Sequence, residues 1–325
     1  MTTHNAYLKR REAIVFALET TRGVTATGDK YAFRWLSKGL ASIPSILENE
    51  SGVGDDYRVN DSAIDVWHSE GPLGGKVTED GIAYLERGIM TKVTSLDNTD
   101  GTYTHSFEYD ATVEAKTFSI WDVRPSTTRL YKSCVLDNLE LSVEAGESGA
   151  WLEASTAVKG WKHEDVTAVV PVLAQEKEYT SRHVKLYLAD DVAGLADLVT
   201  SRIKARSIKL SREQSKSVDH SVGEGETPEF DKGPFEAKGE MVVKYRKTDF
   251  EEDYFANAVH AMKIVIANGA SLIEYTATKV RFRELTDSDD RDGIVTQQIS
   301  FYCEADHDNG GHAIKSAVTN TMATI

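Results

Sequence analysis

The chain holds 325 residues, 40% of them hydrophobic, with 52 acidic against 37 basic side chains and a net charge of −15. That length allows one large domain or two modest ones with a real core, and the composition excludes a disordered chain. So acidic a surface repels phosphates and anionic lipid, which argues against duplex DNA as a tight ligand; two cysteines, Cys134 and Cys303, are too few for a disulfide framework.

Near the start, Lys9, Arg10 and Arg11 precede an apolar run over 13–18 that is fenced by Glu12 and Glu19. The run is too short for a signal segment or a membrane span, so neither is expected, nor is a membrane partner. Folding in a reducing cytoplasm is the simplest expectation. Residues 13–19 read as a strand, and 49–61 as a polar loop. A helix is predicted over 79–93, where Ile82, Leu85, Ile89 and Val93 recur at helical spacing, although Gly81 and Gly88 oppose it. Tyr103, His105, Phe107 and Tyr109 then alternate with polar residues, the period of a half-buried strand. Residues 116–122 follow as a strand. Val135, Leu139, Leu141 and Val143 alternate again, and 145–149 forms a Gly-rich turn. Further strands are expected at 182–189, 203–210, 240–246, 272–283 and 295–304, all rich in residues that suit a pleated surface. The stretch 215–239 carries four glycines and two prolines among many charges, and reads as a long exposed loop or extended hairpin. A second helix is predicted from Thr248, with Glu251 completing a capping box and Phe250, Tyr254, Ala258 and Met262 in one stripe. The tail 306–325 is weakly patterned and is expected to be an arm. Strands in series joined by hairpin-like turns predict a mainly β fold: a sandwich or barrel of two packed antiparallel sheets with one or two flanking helices. The expected domain spans 1–305, with loop insertions near 49–61 and 215–239, followed by the arm at 306–325.

Motifs for chemistry are weak throughout. Within 287–293, setting Gly293 at position six of a calcium loop puts Ser288 first and Ile299 last, where an acid is needed; a solvated turn is the better reading. Asp306, His307, Asp308 and His312 form a weak ion candidate. Gly223-Glu224-Gly225 lacks a third glycine and would repel phosphate. Gly146-Glu147-Ser148-Gly149 places its last glycine one residue too early for a nucleophile elbow. Neither cysteine has a basic neighbour in sequence. His105 reads as a satisfied core or interface residue. Trp35, Trp67, Trp121, Trp151 and Trp161 fall on separate segments, which favours packing over a ligand platform. No catalytic residue, cofactor or metal is expected, and no enzyme.

The order of segments is more telling. Glu19-Thr20-Thr21-Arg22-Gly23 is followed by Gly81-Ile82-Ala83-Tyr84-Leu85, then Gly101-Thr102-Tyr103-Thr104-His105-Ser106-Phe107 and Lys116-Thr117-Phe118-Ser119-Ile120-Trp121. Next come Tyr131-Lys132-Ser133-Cys134-Val135-Leu136-Asp137-Asn138-Leu139-Glu140-Leu141-Ser142-Val143-Glu144 and Ala157-Val158-Lys159-Gly160-Trp161. This series resembles the tail tube (major tail) proteins of long-tailed, mostly non-contractile bacteriophages. The likeness covers residues 13–161 well and 182–304 more loosely. It implies a structural virion protein whose copies form hexameric rings, stacked into the hollow tail tube through which DNA passes during ejection without specific binding. It also implies tape measure, tail terminator and tail tip proteins as partners, and a place in the virion tail after assembly in the host cytoplasm. Two alternatives stand beside it: a related terminator or hub protein capping the tube, and a carbohydrate-binding β-sandwich, motivated by the scattered tryptophans and tyrosines.

Overall fold

A computed structural model describes residues 7–51, 57–59, 61–146, 148–167, 169–171, 175–244, 249–288 and 294–325. In chain order the elements are β1 (Ala13–Leu18), β2 (Tyr31–Phe33), β3 (Trp35–Lys38), β4 (Ala41–Asn49), β5 (Asp61–Lys76), α1 (Gly81–Ile89), β6 (Lys92–Asp97), β7 (Tyr103–Glu108), β8 (Phe118–Val123), β9 (Thr128–Leu136) and β10 (Asn138–Glu144). They continue as β11 (Glu153–Gly160), β12 (Glu164–Val166), β13 (Val184–Ala189), β14 (Arg202–Ile203), β15 (Ala205–Asp219), β16 (Glu229–Lys244), α2 (Asp249–Phe255), β17 (His260–Asn268), β18 (Ser271–Asp287), β19 (Thr296–Cys303) and β20 (Lys315–Asn320). The fold is mainly β and every strand pair is antiparallel, consistent with the expected sandwich.

A smaller sheet runs β2–β1–β8–β9–β12. The larger sheet runs from β4 and β3, both on one edge of β5, through β11, β10, β15, β16 and β19 to β18. At β18 it forks, with β17, β13 and β14 on one side and β20, β7 and β6 on the other. β9 belongs to both sheets, since Leu136 and Val135 turn to pair with β11. At that corner Ser133 is held at φ 52°, a left-handed conformation that costs an ordinary residue energy. The buried carboxylate of Glu19 secures it. It accepts the Ser133 N–H (2.9 Å), the Gly23 N–H (2.9 Å), the Thr117 hydroxyl (2.7 Å) and the Ser119 hydroxyl (2.9 Å). The Glu19–Gly23 segment thus joins β1, β8 and β9, and Gly23 is needed there because the Trp161 ring lies where a side chain would go.

α1 sits inside the fold, and all nine of its residues are buried. Its two glycines, unfavourable for a helix by propensity, are required by packing. A Cβ on Gly88 would lie 2.7 Å from the Phe118 ring, and one on Gly81 would lie 2.4 Å from the Tyr31 hydroxyl. Helix and sheets meet at an ionic group. Glu86 and Arg212, each 0% exposed, form an ion pair. Tyr275 and Ser316 donate to the same carboxylate at 2.8 and 2.9 Å. The Arg212 guanidinium lies 4.7 Å from the Tyr275 ring centroid.

Asp80 precedes α1. Burial, then the charges of Glu176 and Glu79, push its carboxyl up to about 6, despite a hydrogen bond from Asn320 that favours the anion. The native state therefore holds a proton that the unfolded chain gives up near pH 3.8, and stability falls as pH rises between those values. Asp80→Asn is expected to raise stability above pH 6 by about 1 kcal/mol, allowing for solvent screening of a half-buried group. Denaturant midpoints measured on both sides of that window check it; an unchanged pH slope would refute it.

Of the two readings of 215–239, the extended hairpin is the one found: β15 and β16 form it, and its 220–228 turn is tied down, with Trp161 donating to the Pro228 carbonyl (3.0 Å) and Trp67 N–H to Gly225 (2.6 Å). Two expectations are corrected. The second helix stops at Phe255. Asn257 turns left-handed (φ 50°), and the stripe residue Met262 belongs to β17; Thr248, the expected cap, lies outside the described residues. The supposed arm supplies β20, which pairs with both β18 and β7 and buries Ile314 and Val318. Its polar-looking pattern is that of a strand whose Ser316, Val318 and Asn320 point inward.

Candidate assembly surface

The features that suggested chemistry are used structurally. Most of the 287–293 loop lies outside the described residues, and so does Glu147. The Asp306 carboxylate caps its own turn, accepting from Asp308 N–H (3.2 Å) and the Asn309 amide (2.8 Å), while His312 faces Glu108 at 3.5 Å. Among the described residues, no group of three or more His, Cys, Asp or Glu side chains has the geometry to hold a metal. His105 is buried, with one ring nitrogen on Ser95 (2.8 Å) and the other on the Met322 carbonyl (2.9 Å). Both cysteines are free and buried; burial pushes the Cys303 thiol up to about 12 and the Cys134 thiol well up too, so neither is a ready nucleophile. The tryptophans form no common platform: Trp35 donates to the Glu12 carbonyl, Trp121 is in the small core, Trp151 is half exposed with Lys76 over its ring, and Trp67 and Trp161 both hold the 220–228 turn. No described helix is long and apolar enough to cross a membrane.

What stands out is the β4–β5 ribbon. Its proximal half is held, with Ser69 to Lys76 paired along β11. The 220–228 turn lies against it as far as Asp65, and from there to the tip its described residues are exposed. Ile46 pairs with Ile64, and Leu47 with Ala63, on opposite faces of the ribbon. Ile46 is 59% exposed, Leu47 55% and Ile64 54%. A two-stranded ribbon with exposed apolar side chains on both faces, and nothing packed on either among the described residues, is not stable alone. Around these apolar pairs stand exposed acids: Glu48, Glu50, Asp61 and Asp65. The polar loop expected at 49–61 is the tip of this ribbon; residues 52–56 and 60 lie outside the described residues. Sequence reasoning missed the ribbon itself. The signal available was the placing of Ile46-Leu47 and Ala63-Ile64 at matching distances from the loop.

A profile of the family described as phage tail tube protein matches residues 9–303, which is most of the chain. The chain belongs to the phage tail tube family. No curated protein matches it. As a tail tube family member it is a structural component of the virion tail, and the family self-assembles into a tube with other tail proteins. Although the profile ends at 303, β20 lies beyond it and is built into the larger sheet.

Proposed function

We propose that copies of this protein join into hexameric rings, that the rings stack into the hollow tail tube, and that DNA moves along the lumen during ejection without being held. The observation that carries this reading is the β4–β5 ribbon, whose distal half presents exposed apolar side chains on both faces with nothing packed on them among the described residues. Only contact with another molecule removes that surface from water. The charge is compatible: six copies at −15 each carry −90 per ring, and acids on an inner wall would repel phosphates as they pass. Tape measure, terminator and tip proteins would then meet the tube at its core and ends.

Electron microscopy of the purified protein is expected to show rings or tubes around a central channel. Shortening the ribbon to a tight turn between Ser45 and Val66 should leave the fold and abolish the stacked tubes. A compact monomer at high concentration, with no rings in virions, would overturn the reading. A single ring per virion, in place of many tens of copies, would move the protein to the capping role.

A further inference from the structure

In this acidic protein most strand-borne lysines hold a carboxylate: Lys209 pairs with Glu140, Lys238 with Glu236, and Lys263 with Glu274. One cleft of about 240 Å³ departs from that pattern. Its lining includes Arg182, Lys185, Arg202, Lys204 and Arg206, all exposed, and no acid. Among the described residues none of these five forms a salt bridge, although Arg182 donates to the neighbouring His183 ring. Between them lie apolar side chains: Val143 from β10, Val184 and Leu186 from β13, and Ile203 and Ile208 from β14 and β15. Cations left unpaired around an apolar floor suit a partner that is both acidic and apolar.

The chain carries such a partner in the distal β4–β5 ribbon, where Ile46, Leu47 and Ile64 stand beside Glu48, Asp61 and Asp65. It cannot reach its own cleft. Lys76, at one end of β5, pairs with Glu153, which pairs in turn with Ser142 next to the cleft. Asp61, at the other end of this 16-residue extended strand, is roughly 50 Å away. Donor and receptor surfaces thus sit at opposite ends of the strand direction. A contact between such different surfaces is heterologous and repeats without closing, which builds a filament. We infer that the ribbon of one copy docks in the Arg202–Lys204–Arg206 cleft of the next copy along the strand axis, its acids on the basic rim and its apolar side chains on the floor. This deepens the tube reading and rests on it.

Two sets of full-length variants test it. Arg202→Glu with Lys204→Glu and Arg206→Glu reverses the cleft; Glu48→Lys with Asp61→Lys and Asp65→Lys reverses the ribbon. Circular dichroism and melting temperature should match the parent chain, since all six side chains are exposed. Each set alone is expected to lower the sedimentable tube fraction roughly tenfold or more, because like charges then meet across the contact. Mixing the two variants, or combining both sets in one chain, should restore tubes. Unchanged tube yield from the cleft variant overturns the inference and leaves the tube reading intact. So does an intact yield with lost binding of short duplex DNA, which would make the cleft a phosphate site instead. Failure of the parent chain to form rings or tubes removes the tube reading and this inference together.

Discussion

Glu86→Ala is expected to destabilise the fold by about 3–5 kcal/mol. Arg212 would keep its charge with no carboxylate beside it at 0% exposure. Burial pulls its pKa down, but the Glu86 charge and the polar contacts with Glu86 and Tyr275 more than offset that, so the guanidinium stays charged. Two of its nitrogens, Nε and Nη2, have no protein partner even with Glu86 present. Tyr275 and Ser316 would lose their acceptor as well. Equilibrium unfolding in denaturant reads the loss, and a change under about 1 kcal/mol would refute the expectation. Glu86→Gln separates the parts, because it keeps an acceptor for Tyr275 and Ser316 but removes the charge. Glu86→Leu combined with Arg212→Met should recover most of the stability, since a buried ion pair is often replaceable by apolar groups of similar volume.

The second large effect is expected at Glu19. Its carboxylate accepts four hydrogen bonds from two hydroxyls and two peptide groups of β1, β8 and β9 surroundings. Glu19→Ala leaves those donors buried without a partner and releases the left-handed Ser133 peptide at the corner where β9 changes sheets. The cost should be about 2–4 kcal/mol. Thermal unfolding beside a control, Glu140→Ala, checks it. Glu140 only pairs with the exposed Lys209 at 3.0 Å, and its loss should stay within about 0.5 kcal/mol. Equal melting temperatures for the two variants would show that Glu19 does not hold the corner.

Much of the fold was legible because one face of many strands is buried and the other wet. Tyr103 to Glu108 and residues 272–277 alternate for that reason; the first is β7 and the second opens β18, where a bulge at 278–279 then shifts the phase so that Val280 and Phe282 point inward. The ribbon was not legible because both faces of its distal half are exposed among the described residues, so burial imposes no period there. Gly71, Gly74 and Gly75 look like breaks in sequence, yet a Cβ at Gly71 would lie 2.3 Å from the Gly39 carbonyl oxygen, and β5 runs straight through them. The false helical continuation past Phe255 arose because Ala258 and Met262 fall on the stripe of Phe250 and Tyr254; a strand's inward residues can share that spacing by chance over one turn. The Glu86–Arg212 pair spans 126 positions and has no local signature at all. The basic cleft had one: Arg202-Ile203-Lys204-Ala205-Arg206 alternates with every charge of one sign.

The place of β20 has a consequence for how the molecule is made. It lies between β18 and β7, and the Thr104 and Thr319 hydroxyls that meet across it are 215 positions apart. On a ribosome, β6 and β7 emerge early and must wait as an unjoined hairpin until residues 315–320 arrive to bridge them to the rest. Such long-range closure is slow. A growing chain therefore passes most of its synthesis with two open sheet edges, and a finished subunit becomes competent only after that last seam is sewn.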